Sequence, residues 1–163
     1  MQDNKLIKAL VLNAQLGNNS AFEQLYEMTI EQIYALVLRL TGNSMSAETL
    51  TKDSYVNAWQ KISKKDEHVS FLSWLKKIAV QTVVQEKVDS APTSKSSGNH
   101  PIFSEAFENL IRNLEPKSRW IYVLHDVDNF SIEEISKLLG VREEEIKAAL
   151  ANTRENLIKQ TEE

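Results

Sequence analysis

The sequence predicts an all-α protein made of two small helical domains joined by a flexible linker. Three observations carry this. Apolar residues recur at i, i+3, i+4 and i+7 along most of the chain, the spacing of one helix face rather than the alternation of a strand. Glycine and proline are scarce, four and three in 163 residues, which favours helices over turn-rich sheets. One segment, Asp89 to Pro101 (DSAPTSKSSGNHP), abandons the periodicity and is rich in Ser, Pro and Gly, the composition of a tether. The expected divisions are a first domain at 1–88, a linker at 89–103 and a second domain at 104–163.

The first domain reads as four helices. Leu6, Ile7, Leu10, Val11 and Ala14 stripe the first, which Gly17 ends. Ser20 with Glu23 has capping-box spacing and is expected to open the second, whose stripe is Phe22, Leu25, Tyr26, Ile33, Val37 and Leu40, with Gly42 closing it. A third starts near Ser46 and carries Leu50, Tyr55, Ala58, Trp59 and Ile62; Lys64 to His68 is a charged loop. Ser70 caps the fourth, with Phe71, Trp74, Leu75, Ile78 and Val83 along it.

The second domain opens at Ser104 with a short helix bearing Phe107, Leu110, Ile111 and Leu114. Pro116 fits the first position of the next helix, where its missing N–H is no loss; Trp120, Ile121, Leu124 and Val127 are its expected buried face. The stretch Ser131–Leu157 then reads as two helices around a glycine corner. Ser131 and Glu134 form a capping box, and Ile132, Ile135, Leu138 and Leu139 give one apolar face. Gly140 suits the left-handed position that ends a helix, Val141 is expected to plug the turn, and Ile146, Leu150 and Leu157 face inward from the last helix. This is the pattern of a helix-turn-helix, whose second helix can enter a DNA major groove.

Composition removes several classes of function. There is no cysteine, so disulfides and thiolate metal sites are out. His68, His100 and His125 stand far apart without metal-ligand spacing, and no phosphate-binding glycine loop or nucleophile motif occurs. Neither a metal, a cofactor nor catalysis is expected. No apolar run approaches membrane-spanning length and MQDNKLIKAL lacks a signal-peptide pattern, so membrane insertion is not expected and the cytoplasm is the expected compartment. With no coiled-coil seam, the free protein is expected to be a monomer.

The order of these pieces resembles the extracytoplasmic-function sigma factors of bacterial RNA polymerase. In the first domain the matching stretches are AFEQLY (Ala21–Tyr26), YALVLRLTGN (Tyr34–Asn43), SAETLTKDSYVNAWQKI (Ser46–Ile62) and FLSWLKKIA (Phe71–Ala79), which look like the family's region two. LEPKSRWIYVLHDVDNFSIEEISKLLGV (Leu114–Val141) looks like region four. The resemblance implies a dissociable subunit that docks region two on core RNA polymerase, captures bases of melted promoter DNA, and reads a more distal element with the region-four recognition helix. It also implies an anti-sigma factor as a further partner.

Residues follow from that resemblance and from the helix faces. Polymerase docking would fall on Glu48, Thr49, Lys52, Asp53 and Asn57, on the outward side of the third helix. A docking face needs exposed polar residues around a small apolar centre. Strand opening would use rings to stack a base and cations to hold phosphates, here Phe71, Trp74, Lys76 and Lys77. The two rings share a stripe with Leu75 and Ile78, so a place in the core suits them as well. Distal reading would use Arg142, Glu143, Glu144, Lys147, Ala148, Ala151 and Arg154, since glutamate can accept from cytosine and lysine or arginine can donate to guanine or phosphate. The same glutamates also favour the positive end of a helix dipole, and Glu143 can pair with Lys147. The chain departs from the family pattern at Thr49, usually acidic, at Lys52, usually glutamine, in Ala79–Val88, which lacks the usual arginines, at Arg142, and at Ala149 and Asn152, usually basic.

Charge is unevenly spread. Residues 1–88 hold ten Lys and Arg against nine Asp and Glu, a net +1, whereas residues 104–163 hold eight against thirteen, a net −5. A module so acidic is expected to bind free DNA weakly, because non-specific affinity is mainly electrostatic. Held by polymerase, it could still read DNA through high effective concentration. The same charge motivates an alternative: a sigma-like decoy or adaptor that binds an anti-sigma factor without binding a promoter.

Overall fold

A computed structural model describes residues 2–86 and 105–162. The expected linker, 89–103, and Ser104, the expected start of the second domain, lie outside the described residues. Among those described there are eight α-helices and no strand: α1 (Gln2–Gln15), α2 (Asn19–Thr41), α3 (Ser44–Lys61), α4 (Phe71–Glu86), α5 (Glu105–Arg112), α6 (Pro116–Tyr122), α7 (Ile132–Leu139) and α8 (Glu143–Thr161). A 3₁₀ turn, Ile62–Lys64, follows α3, and a π-type turn, Val123–Val127, extends α6. The described chain falls into two compact units, one of residues 2–37 and 45–86, the other of residues 38–44 and 105–162.

In the first unit the helices bury most of the predicted stripes, but Tyr26 of the α2 stripe is 38% exposed and Phe22, Trp59 and Trp74 are half-buried. Leu10, Val11 and Ala14 of α1, Leu25, Ile33 and Val37 of α2, Leu50, Tyr55 and Ala58 of α3, and Leu75, Ile78 and Val83 of α4 are all buried. The α1 stripe is shorter than predicted, because Leu6 is 49% exposed. The cap of α2 also differs. Asn18, not Ser20, is the capping residue: its Oδ1 accepts from Ala21 N–H at 3.1 Å, which starts the helix at Asn19 and leaves Ser20 inside the first turn. Ser70 caps α4 as predicted, its Oγ accepting from Ser73 N–H at 3.2 Å. Gln15 fastens the end of α1 to the turn after α3, donating to the Ile62 and Lys65 carbonyls at 3.0 and 3.3 Å. Between α2 and α3, the Tyr55 ring meets Phe22 and Tyr26 edge-on, and its hydroxyl lies 2.6 Å from that of Thr29, which donates to the Leu25 carbonyl.

The second unit is built on a charged residue that periodicity did not single out. Arg119 of α6 is 1% exposed. Its Nη2 donates to the Leu40 carbonyl at 3.2 Å and its Nη1 to the Arg112 carbonyl at 3.4 Å, so the guanidinium sits on carbonyls at the C-terminal ends of α2 and α5. Those carbonyls lack helical partners and carry the negative end of the helix dipole. Trp120, predicted as core, is half-buried, with its indole N–H also on the Leu40 carbonyl at 2.7 Å. Gly42, at φ +68°, turns the chain beside the same guanidinium. Arg39 adds a two-nitrogen contact to Glu108, its shortest distance 2.7 Å.

The helix-turn-helix forms as the sequence predicts. Ser131 Oγ accepts from Glu134 N–H at 3.0 Å while Glu134 accepts from Ser131 N–H at 3.1 Å, and Gly140 ends α7 in the left-handed region at φ +68°. Val141 is half-buried rather than a buried plug; its carbonyl accepts from Ser136 Oγ at 2.6 Å, so a polar contact closes the corner. Ile135, Ile146, Leu150 and Leu157 are buried where α7 and α6 pack on α8.

Two outcomes follow. Arg119→Ala removes a buried cation and leaves a void among carbonyls, and is expected to lower unfolding free energy by about 2–4 kcal/mol in chemical denaturation. Burial chiefly pushes the Tyr55 phenol above its ordinary value of 10.0. A raised folded-state pKa gives stability that is whole below the unfolded value and is lost as pH rises past it. The melting temperature is therefore expected to fall as pH climbs above about 10, and Tyr55→Phe to reduce that fall.

Candidate functional site

The outward side of α3 is set by the residues that face inward. Ala47, Leu50, Thr51, Ser54, Tyr55 and Ala58 are buried, which turns Glu48, Thr49, Lys52 and Asp53 outward, all four exposed. Two apolar residues continue that face and were missed in the sequence: Met45 is 79% and Val56 56% exposed. Helical spacing carried the signal, since Val56 follows Lys52 and Asp53 by four and three residues and so shares their side. Burial, then the charge of Glu48, raises the Tyr34 phenol above its ordinary value. Asn57 departs from the prediction. It is half-buried and donates through Nδ2 to Thr82 Oγ1 at 3.1 Å, so it ties α3 to α4 instead of facing outward.

On α4 the rings separate. Phe71 is 4% exposed and belongs to the core, which corrects its reading as a stacking surface: a base cannot lie on a ring already covered on both faces. Trp74 is half-buried, its ring 5.8 Å from that of Phe71. Lys76 and Lys77 are half-buried, and each already has an interaction partner. The lysine of the preceding loop, Lys65, donates to the Asp66 and Val69 carbonyls.

On α8 the predicted residues lie on the exposed side, and much of their charge is already engaged. Arg142, Glu143, Glu144, Lys147, Ala148, Ala151 and Arg154 are all exposed. Arg154 makes a two-pronged contact with Asp126 of the π-type turn, Nη2–Oδ1 2.6 Å and Nε–Oδ2 2.8 Å. That contact holds the Asp126 carboxyl below its ordinary value and raises the Arg154 guanidinium. Glu145 receives two cations, Lys117 Nζ at 3.2 Å and Arg142 Nη2 at 3.2 Å, and hydrogen bonding to both lowers its carboxyl. Asp126, Lys117 and Glu145 were not singled out by the sequence. Asp126 and Arg154 lie 28 residues apart, as do Lys117 and Glu145, so no local pattern links them. No group of three His, Cys, Asp or Glu able to hold a metal occurs among the described residues, and none of their helices is long and apolar enough to cross a membrane.

A helical unit with an exposed polar and apolar face, followed by a unit ending in a helix-turn-helix, fits the sigma-factor layout that the sequence resembles. Comparison with known proteins agrees. The family description "Sigma-70 region 2" matches residues 25–91, and "Sigma-70, region 4" matches residues 104–157. The chain is similar to the ECF RNA polymerase sigma factor SigW of Bacillus subtilis, with 23% identity over 95% of this chain and 96% of that protein. Two solved structures share the fold. One is CnrH in complex with the cytosolic domain of CnrY, with TM-score 0.65, 18% identity, and coverage of 96% of this chain and 97% of that one. The other is the sigma factor RpoE in complex with the anti-sigma factor NepR from Bartonella quintana, with TM-score 0.64, 20% identity, and coverage of 86% and 96%. The chain belongs to the sigma-70 family, as a sigma factor of the extracytoplasmic-function type, and so is an alternative sigma factor that directs transcription initiation.

The two roles on α3 can be told apart by stability. Asn57→Ala, which breaks the bond to Thr82, is expected to cost about 1 kcal/mol, whereas Thr49→Ala on the exposed face is expected to change stability by less than about 0.5 kcal/mol; urea denaturation of the two variants measures both.

Proposed function

We propose that this sigma factor docks on core RNA polymerase through the outward face of α3 and works in the cytoplasm. Its domains would be 1–88 and 104–163, with 89–103 as tether. One observation carries the docking reading: Glu48, Thr49, Lys52 and Asp53 stand exposed between the exposed apolar side chains of Met45 and Val56. Folding gains nothing from leaving those two apolar groups in water, and a polar rim with apolar contacts is how protein interfaces are built. Thr49 and Lys52 make the face less acidic than the family pattern, which weakens attraction to a basic partner without removing Glu48 and Asp53. Asn57 contributes by holding α3 against α4.

Promoter DNA is the second partner. Trp74, Lys76 and Lys77 on α4 would meet the opened strand, with Phe71 supporting Trp74 from the core. Arg142, Glu143, Glu144, Lys147, Ala148, Ala151 and Arg154 would face the distal element. An anti-sigma factor is the third partner, a reading supported by the two similar structures, one holding the anti-sigma factor NepR and the other the cytosolic domain of CnrY.

Co-elution of the purified protein with core RNA polymerase on a sizing column tests the docking. The wild-type protein is expected to co-elute, and the double variant Glu48→Lys with Asp53→Lys to elute free while keeping its helical circular dichroism. A folded wild-type protein that never co-elutes would overturn the reading and favour a decoy that binds an anti-sigma factor without a promoter.

A further inference from the structure

Four cations of the helix-turn-helix, Lys137, Arg142, Arg154 and Lys159, pair with acids of the chain. Arg154, near the middle of α8, is held by both oxygens of Asp126, at 2.6 and 2.8 Å. Arg142, which precedes α8, and Lys117, on α6, converge on one carboxylate, Glu145. Lys137 on α7 and Lys159 on α8 also have acidic partners, Glu133 and Glu155, each one helical turn away on the same helix. The two cross-element pairs differ from those local ones. Arg154 with Asp126 is a fork-to-carboxylate contact of the kind that arginine makes with a phosphate, and its carboxylate comes from a different element. Lys117 reaches Glu145 from α6, whereas Arg142 reaches it from three residues away at the start of α8.

We propose that Asp126 and Glu145 set the affinity of this sigma factor for DNA by occupying the cationic groups that would otherwise hold phosphates. The inference rests on the reading that the α8 surface meets DNA. In the free protein the carboxylate of Asp126 stands where a phosphate would sit on Arg154, and Glu145 does the same for Arg142 and Lys117. A phosphate must displace an internal partner before it gains the cation, so each contact releases fewer counterions and adds less to binding than an open cation would. The result is a recognition surface with weakened electrostatic attraction for free DNA, whose engagement depends more on another body holding it against the duplex, where effective concentration adds to that attraction. Acidic residues here act as competitors for particular cations, not as a diffuse negative field.

The distinction between competition and diffuse charge gives the test. Binding of the full-length protein to a fluorescent duplex of about 20 base pairs and mixed sequence would be measured by anisotropy from about 50 to 200 mM salt. Glu145→Gln alters an exposed position in the first turn of α8 and keeps the side chain's size. It is expected to tighten binding at least about threefold at the lowest salt and to steepen the slope of log K against log salt by about one to two, as each cation regained contributes roughly 0.9. Asp126→Asn is expected to steepen it by about one. The gain from Asp126→Asn should vanish when Arg154→Gln is also present, and that from Glu145→Gln when Lys117→Gln and Arg142→Gln are present. A gain that survives in those backgrounds would show a diffuse charge effect and overturn the proposal, as would unchanged or weaker binding by Glu145→Gln with circular dichroism intact. Co-elution with core polymerase is read separately: a wild-type protein that co-elutes while its variants leave the salt slope unchanged overturns this inference alone. Loss of co-elution in the wild type overturns the docking reading, whatever the salt slopes show.

Discussion

A guanidinium with almost no access to water has to be satisfied inside the protein, because an uncompensated buried charge costs several kcal/mol. Arg119 poses that demand in the second unit, and its answer organises the surroundings. Its partners are carbonyl oxygens at the ends of two helices, Leu40 of α2 and Arg112 of α5, rather than a carboxylate. Two groups that are each expensive to bury alone are thereby brought together: helix ends with unpaired carbonyls, and a cation that burial pushes below its ordinary pKa and whose buried Nε finds no hydrogen-bond partner. Trp120 completes the arrangement from the next position on the same helix. Segment 38–44, α5 and α6 are placed by one set of hydrogen bonds, and α6 then carries the π-type turn that meets α7, while α8 packs on α6 and α7.

The π-type turn links that core to the surface. Asp128 N–H reaches back to the Val123 carbonyl at 2.9 Å and Phe130 N–H to that of Leu124 at 2.8 Å, which widens the last turn before Asn129 takes a left-handed conformation at φ 61°, one that asparagine tolerates. His125 Nδ1 sits 2.8 Å from the Phe130 carbonyl and stiffens the same bend. Asp126 leaves this bend toward α8 and meets Arg154. The geometry of the acid is thus fixed by backbone that also positions α7, so the electrostatics of the exposed helix and the packing of the buried one share a single support.

The first unit separates its tasks by face. One side of α3 is fully committed to the core and to α4, through buried Ala47, Leu50, Tyr55 and Ala58 and through the Asn57 to Thr82 bond. The opposite side makes no comparable demand, which lets Glu48, Thr49, Lys52 and Asp53 vary without threatening the fold. The buried positions of the same helix are apolar or small, apart from Tyr55, whose hydroxyl is paired with that of Thr29. On α4 the division runs the other way: Phe71 was claimed by the core, leaving Trp74 and the lysines for the surface.

Local chemistry was legible in the sequence. The capping box at Ser131 and Glu134, the left-handed Gly140, the cap at Ser70, Pro116 at a helix start and the apolar stripes of α2, α3, α4 and α8 all involve residues within a few positions of one another, so their energetics are already present in a short stretch of chain. The order of the two modules was legible for the same reason. Where two local signals competed, the choice fell to geometry: Asn18 took the cap that Ser20 could have taken, and Leu6 and Tyr26 dropped out of their stripes. What only the tertiary structure decided is the fate of the charged side chains. Nothing in the vicinity of Arg119 marks it for burial, and nothing near Arg154 or Glu145 names Asp126 or Lys117 as a partner 28 residues away. An ion pair depends on the distance between two groups in space, and that distance is set by how separate helices pack, a quantity that helical periodicity does not encode.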